Sequence, residues 1–152
     1  MLYVVRHAKA GSRLNWIGDD RERPLSKSGW LQAKALVKPL RKVATGTLVS
    51  SPYARCVQTL EPLAERLGVK VTADERLAEG GSFRDVLEML AALPDGSVLC
   101  SHGDVIPDTI AALERRGCRI AGDPDWRKAS TWVLERDDGE VVRATCWPPP
   151  DV

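Results

Sequence analysis

No stretch of this 152-residue chain approaches the roughly 18 consecutive apolar residues that a membrane-spanning helix requires. An apolar strand already begins at residue 2, which leaves no room for a signal peptide, so a soluble cytoplasmic protein is expected. Charge of one sign is also missing. The 22 basic and 21 acidic residues leave a net charge of +1, and nothing marks a nucleic-acid polymer or other polyanion as partner. The cysteines at 56, 100, 118 and 146 form no CxxC pair and no metal-ligand spacing. Cys100 falls in an apolar strand and Cys56 on an apolar helix face, where reduced, buried thiols are expected. Histidine is scarce: only two are present, and no carboxylate cluster accompanies them. A metal-assisted mechanism therefore lacks ligands, and neither a metal nor another cofactor is expected. There are no internal repeats.

What is present is concentrated. The apolar fraction of 43% and the length suit one domain, residues 1–152, with a sizeable core. Leu2-Tyr3-Val4-Val5-Arg6-His7 is an apolar strand that delivers Arg6 and His7 to its carboxyl end. Ser97-Val98-Leu99-Cys100-Ser101-His102-Gly103 delivers the second histidine in the same way, and Thr47-Leu48-Val49-Ser50-Ser51-Pro52 is a third such run, followed by Arg55. In open α/β sheets, ligands sit just beyond the carboxyl ends of the strands. Two imidazoles facing each other with two arginines beside them suit a phosphoryl group.

Between these runs lie helical stretches. Ser26 is placed to cap a helix with Trp30, Ala33, Val37 and Leu40 on its apolar face, and Pro39 should kink it or end it early. Ser51-Pro52 reads as an N-cap followed by proline at the first helical position. Its free amides would face the same edge and make Ser51 a candidate phosphate contact. Cys56, Leu60, Ala64 and Leu67 then share a face up to Gly68, with Pro62 as an irregularity. A third strand at about 69–72 and a helix begun by a Ser82/Asp85 capping box follow, then a helix from about 104 to 116. Polar loops are expected at 9–25 and 118–129, and Asp138-Gly139 predicts a closing hairpin. Alternating strands and helices imply an α/β/α three-layer sandwich whose mostly parallel sheet carries at least one antiparallel strand.

The three strand-end segments resemble those of a known family. Arg6-His7-Ala8, Ser50-Ser51-Pro52-Tyr53-Ala54-Arg55-Cys56-Val57-Gln58-Thr59 and Ser101-His102-Gly103 resemble, in order and context, the histidine phosphatase superfamily related to the phosphoglycerate mutases. Arg23-Pro24-Leu25-Ser26, Gly29 and Gln32-Ala33 look like the short bacterial phosphohistidine phosphatases, the SixA-like branch. Arg6-His7-Ala8-Lys9-Ala10-Gly11 and Ser101-His102-Gly103-Asp104-Val105-Ile106 are also similar to the phosphatase-like domain fused to Nudix hydrolases in some bacteria; no Nudix domain is present in this sequence.

That resemblance implies a phosphoglycerate mutase-like fold and His7 as a nucleophile that passes through a phosphohistidine. Arg6 and Arg55 would keep its imidazole neutral and, with His102, neutralise the phosphoryl oxygens. Glu79, in Leu77-Ala78-Glu79-Gly80-Gly81, matches the region of the family's general acid, but the SixA-like branch lacks an acid there. Glu79 is either the proton donor or a solvated loop residue. Arg13 either touches the phosphate or a second substrate anion, or forms a surface salt bridge to Asp19 or Asp20. Trp16 and Trp126 either make a base-stacking wall or anchor the polar loops.

The expected activity is a metal-independent phosphatase acting on protein phosphohistidine or a small phosphomonoester. The alternatives are a housecleaning phosphohydrolase for nucleotides and, in another class, a non-catalytic phosphate-binding regulatory module on the same fold.

Overall fold

The computed structural model describes residues 1–152. Strand β1 (Leu2–Arg6) leads to helix α1 (Lys27–Leu40), then β2 (Leu48–Ser50), α2 (Ala54–Leu67) and β3 (Val71–Ala73). Helix α3 (Phe83–Ala92), β4 (Val98–Ser101) and α4 (Val105–Arg115) follow, and then β5 (Arg119–Ile120), β6 (Thr131–Asp137) and β7 (Glu140–Trp147). One seven-stranded sheet results, in the order β3-β2-β4-β1-β6-β7-β5. The run β3-β2-β4-β1 is parallel throughout, while β6 is antiparallel to both of its neighbours.

Strand alternation divides the apolar side chains between two faces. Along β1, Leu2 and Val4 enter an 18-residue core against α3 and α4, while Tyr3 and Val5 enter a 17-residue core against α1 and α2. The near-equal cores make this a three-layer sandwich, as the uninterrupted apolar strands predict.

Local chemistry sets the element ends. Ser26 caps α1 by accepting from Gly29 N at 3.1 Å. Pro39 ends this helix rather than kinking it: one further residue, Leu40, completes the last turn. Pro62 lies within α2 without interrupting it, and Gly68 closes that helix in the left-handed conformation at φ 70°. Asp138 and Gly139 both have positive φ, 51° and 82°, as a type I′ hairpin requires. Two expectations are corrected. Ser82 caps α3 through Arg84 N at 3.2 Å, not through a reciprocal bond with Asp85. The loop expected at 118–129 contains β5, two residues long and too short to show alternation.

No helix is long and apolar enough to cross a membrane.

Candidate active site

Register brings the two histidines together. Arg6 pairs with Ser101 across the parallel β1–β4 ladder, so the next residues, His7 and His102, leave adjacent strands at the same level. Their ring centroids lie 5.5 Å apart with planes at 65°. Ser50 pairs with Cys100 on the other side of β4, which sets Ser51 beside His102.

His7 Nδ1 donates to the Ala8 carbonyl at 2.7 Å. A carbonyl only accepts, so the proton of the neutral ring sits on Nδ1 and the Nε2 lone pair is free. Burial, with Arg55 and Arg6 near by acting the same way, pushes the His7 pKa down to about 3 against the opposing Ala8 bond. The imidazole is therefore neutral near pH 7.

Polar side chains of α1 and α2 fasten the loop between β1 and α1, and two of them, Thr59 and Gln32, are buried. Ala8 N donates to Thr59 Oγ1 at 2.9 Å, Lys9 N to Gln32 Oε1 at 2.9 Å and Leu25 N to Gln58 Oε1 at 2.9 Å. Gly29 permits the approach of this segment to α1, since a Cβ there would collide with the Lys9 carbonyl.

The two arginines reach the site from opposite faces of the sheet. Arg6, on the same face of β1 as Val4, lies over Gly103, where an added Cβ would stand 2.6 Å from its Cζ, and donates from Nη1 to the Trp126 carbonyl. Arg55, in the first turn of α2, is fully buried. It donates from Nη1 to the Asp20 carbonyl at 2.9 Å and from Nη2 to Asp20 Oδ2 at 3.1 Å, with Tyr53 stacked 4.8 Å away. Ser51 Oγ accepts from Tyr53 N at 3.3 Å and meets His102 Nε2 at 2.8 Å. Only five buried side-chain N or O atoms in the chain lack a hydrogen-bond partner, and three of them are Arg6 Nε, Arg55 Nε and His102 Nδ1.

A cavity of about 520 Å³ opens over His7, and Arg6, His102, Arg13 and Glu79 wall it. Arg55 and Ser51 stand behind this wall. Ser51 is thereby corrected as a helix cap: its hydroxyl is committed to His102, and α2 begins at Ala54 with Tyr53 at the N-cap. Glu79 is not a freely solvated loop residue. Its Oε1 accepts from Arg13 Nη2 at 3.0 Å and its Oε2 lies 3.5 Å from Arg55 Nη2. Arg13 also comes within 3.9 Å of Asp20 Oδ1. The tryptophans hold loops: Trp126 packs on Trp132 with centroids 5.0 Å apart, and Trp16 Nε1 donates to the Asp19 carbonyl at 2.8 Å.

Sequence reasoning missed the place of two residues in this site, Asp104 and Lys128, and for a third, Asp20, foresaw only the pairing with Arg13. Asp20 joins Arg55 to the buried Arg23, accepting from Arg23 Nε at 2.9 Å; its place three residues before Arg23 was the available signal. Asp104 reaches back to Gly80 N at 2.8 Å and lines the cavity, as does Lys128. Nothing in the local sequence distinguished Lys128 from other loop lysines.

The fold is similar to that of the protein histidine phosphatase SixA complexed with tungstate, with a TM-score of 0.73 and 20% identity over 95% of this chain and 92% of that one. A mycobacterial glucosyl-3-phosphoglycerate phosphatase, in complex with VO3, gives a TM-score of 0.67 and 23% identity over 97% and 98% of the two chains. An 8-oxo-(d)GTP phosphatase from Mycolicibacterium smegmatis is 40% identical across 97% of this chain. The match spans about half of that relative's length, 48%. Residues 2–84 match the model of the histidine phosphatase superfamily (branch 1), and the chain belongs to that superfamily.

Proposed function

We propose that this chain is a phosphatase that works through a covalent phosphoryl group on His7 and needs no metal. One observation carries the reading. The free Nε2 of a neutral, buried His7 sits among three unpartnered nitrogens, Arg6 Nε, Arg55 Nε and His102 Nδ1. Buried guanidinium N–H groups without partners are costly, and a phosphoryl oxygen supplies the acceptor that Arg6 Nε and Arg55 Nε each lack.

In this mechanism His7 Nε2 forms a bond to phosphorus as the bond to the leaving group breaks, and the leaving group departs with the electron pair. Water then attacks phospho-His7, releasing inorganic phosphate and returning the lone pair to Nε2. Arg6, Arg55 and His102 stabilise the charge that spreads over the equatorial oxygens. The guanidiniums flanking both imidazoles supply that charge themselves and would repel a divalent ion at the same place.

Glu79 limits the leaving group. Its oxygens are engaged by Arg13 and Arg55 and would have to be released before donating a proton. Leaving groups that depart unprotonated suit this arrangement: an imidazole, a phenolate or a phosphate, rather than an alkoxide. Protein phosphohistidine and small phosphomonoesters with good leaving groups fit that rule. A nucleotide phosphohydrolase is the second reading, favoured by the 40% identity to the 8-oxo-(d)GTP phosphatase. Hydrolysis of an aryl phosphate by the wild-type chain, inhibited competitively by vanadate, tests the common core of both readings. A chain that bound vanadate but hydrolysed nothing would be the non-catalytic module instead.

A further inference from the structure

The cavity over His7 holds one cation that no carboxylate of the protein answers. Of the cationic side chains on its wall, Arg13 pairs with Glu79 at 3.0 Å and Arg23 with Asp20 at 2.9 Å. Arg6 lies within reach of the Asp104 charge. Lys128 is half-buried on the same wall and takes part in no salt bridge and no side-chain hydrogen bond. Its placement is built in. The next residue, Ala129, is buried in the left-handed region at φ 69°, which is unfavourable for a residue with a Cβ. The Ala129 N–H donates to the carbonyls of Arg6 and His7 at 3.1 and 3.3 Å. Backbone strain is thus spent on tying Lys128 to the end of β1, beside the nucleophile.

We infer that Lys128 forms a second anion subsite that receives a phosphate carried by the leaving group, so that the substrate is a phosphoanhydride. This rests on the His7 reading and narrows its substrate class. The unpartnered buried nitrogens that meet the transferred phosphoryl group belong to Arg6, Arg55 and His102 and not to Lys128, whose positive charge is left for a second one. Burial, with Arg6, Arg23, Arg55 and Arg13 near by, pushes the Lys128 pKa below the ordinary lysine range, so an incoming anion relieves repulsion as well as forming a bond. The chemistry agrees with the state of Glu79. A phosphate leaves with the bridging oxygen and its electron pair and needs no proton from the enzyme, whereas an alkoxide would. The balanced reaction is diphosphate plus water to two monophosphates, through phospho-His7.

Binding and turnover test the subsite separately. Methylenediphosphonate, which cannot be hydrolysed, should bind the wild-type chain about tenfold or more tightly than methylphosphonate, the scale of one charge-assisted contact. That advantage should collapse in Lys128→Met and persist in Lys128→Arg. In turnover, the ratio of kcat/KM for a diphosphate to kcat/KM for an aryl phosphate should fall in Lys128→Met by a similar factor. Running inorganic pyrophosphate beside a nucleoside diphosphate shows whether the group beyond the second phosphate contributes. Equal binding of the two phosphonates, or an advantage that survives Lys128→Met, overturns the subsite. Failure of the His7 reading looks different: activity that persists in His7→Ala, whatever the phosphonates do.

Discussion

His7 is useful because it is buried beside positive charge and yet neutral. Its pKa of about 3 lies far below that of an exposed imidazole, about 6.5. Below pH 6.5 the unfolded chain therefore takes a proton at this site that the folded chain refuses. His7 thus withdraws stability progressively as pH falls from 6.5 towards 3, and withdraws none above. Nitrogen NMR of the imidazole should find the Nδ1–H tautomer intact at pH 5, and a titration midpoint near 6.5 would contradict the site's electrostatics. His7→Ala should lose far more than the tenfold in turnover that about 1.4 kcal/mol represents. His102→Ala should lose less, since the attacking lone pair remains.

Glu79 is tested by its leaving groups. Held by Arg13 and Arg55, it should matter little as an acid, so Glu79→Gln should change aryl and alkyl phosphate hydrolysis by similar, small factors. A defect confined to alkyl phosphates would instead make it the proton donor.

At the scale of elements, three strand ends and two helices converge because the register is set deep in the sheet. Gly29 illustrates how tightly the helices are then held. In an exposed helix, Gly→Ala gains about 1 kcal/mol from propensity. Here the added methyl meets the Lys9 carbonyl, and overpacking of that kind costs about 1–3 kcal/mol. Gly29→Ala should therefore lower both the unfolding free energy and the turnover, measured by denaturant titration and aryl phosphate assay. Strands ending on Arg6-His7 and Ser101-His102 were legible in the sequence because apolar runs and abrupt polar ends are local signals. The role of Ser51 was not. Its Ser-Pro context is a helix-start signal, and the His102 that claims its hydroxyl is 51 residues away. Asp20 and Lys128 were hidden for the same reason, since their meaning depends on Arg55 and on the β1 carbonyls, which only the fold brings near.

For the whole molecule, the sheet order places β1 and β4 side by side at its centre, with α2 supplying Arg55 from one face and the Arg6–Gly103 contact on the other. Under the proposed mechanism these side chains furnish the positive charge that phosphoryl transfer needs. Turnover should survive a strong chelator unchanged, and recovery of lost activity by a divalent ion would contradict this account. The central claim is the covalent step, and trapping it tests that step most directly. Wild-type chain mixed with an aryl phosphate, quenched in alkali within one turnover and mapped by mass spectrometry, should carry one phosphoryl group on His7 and none in His7→Ala. A phosphoryl group on any other residue, or none during steady hydrolysis, would contradict it.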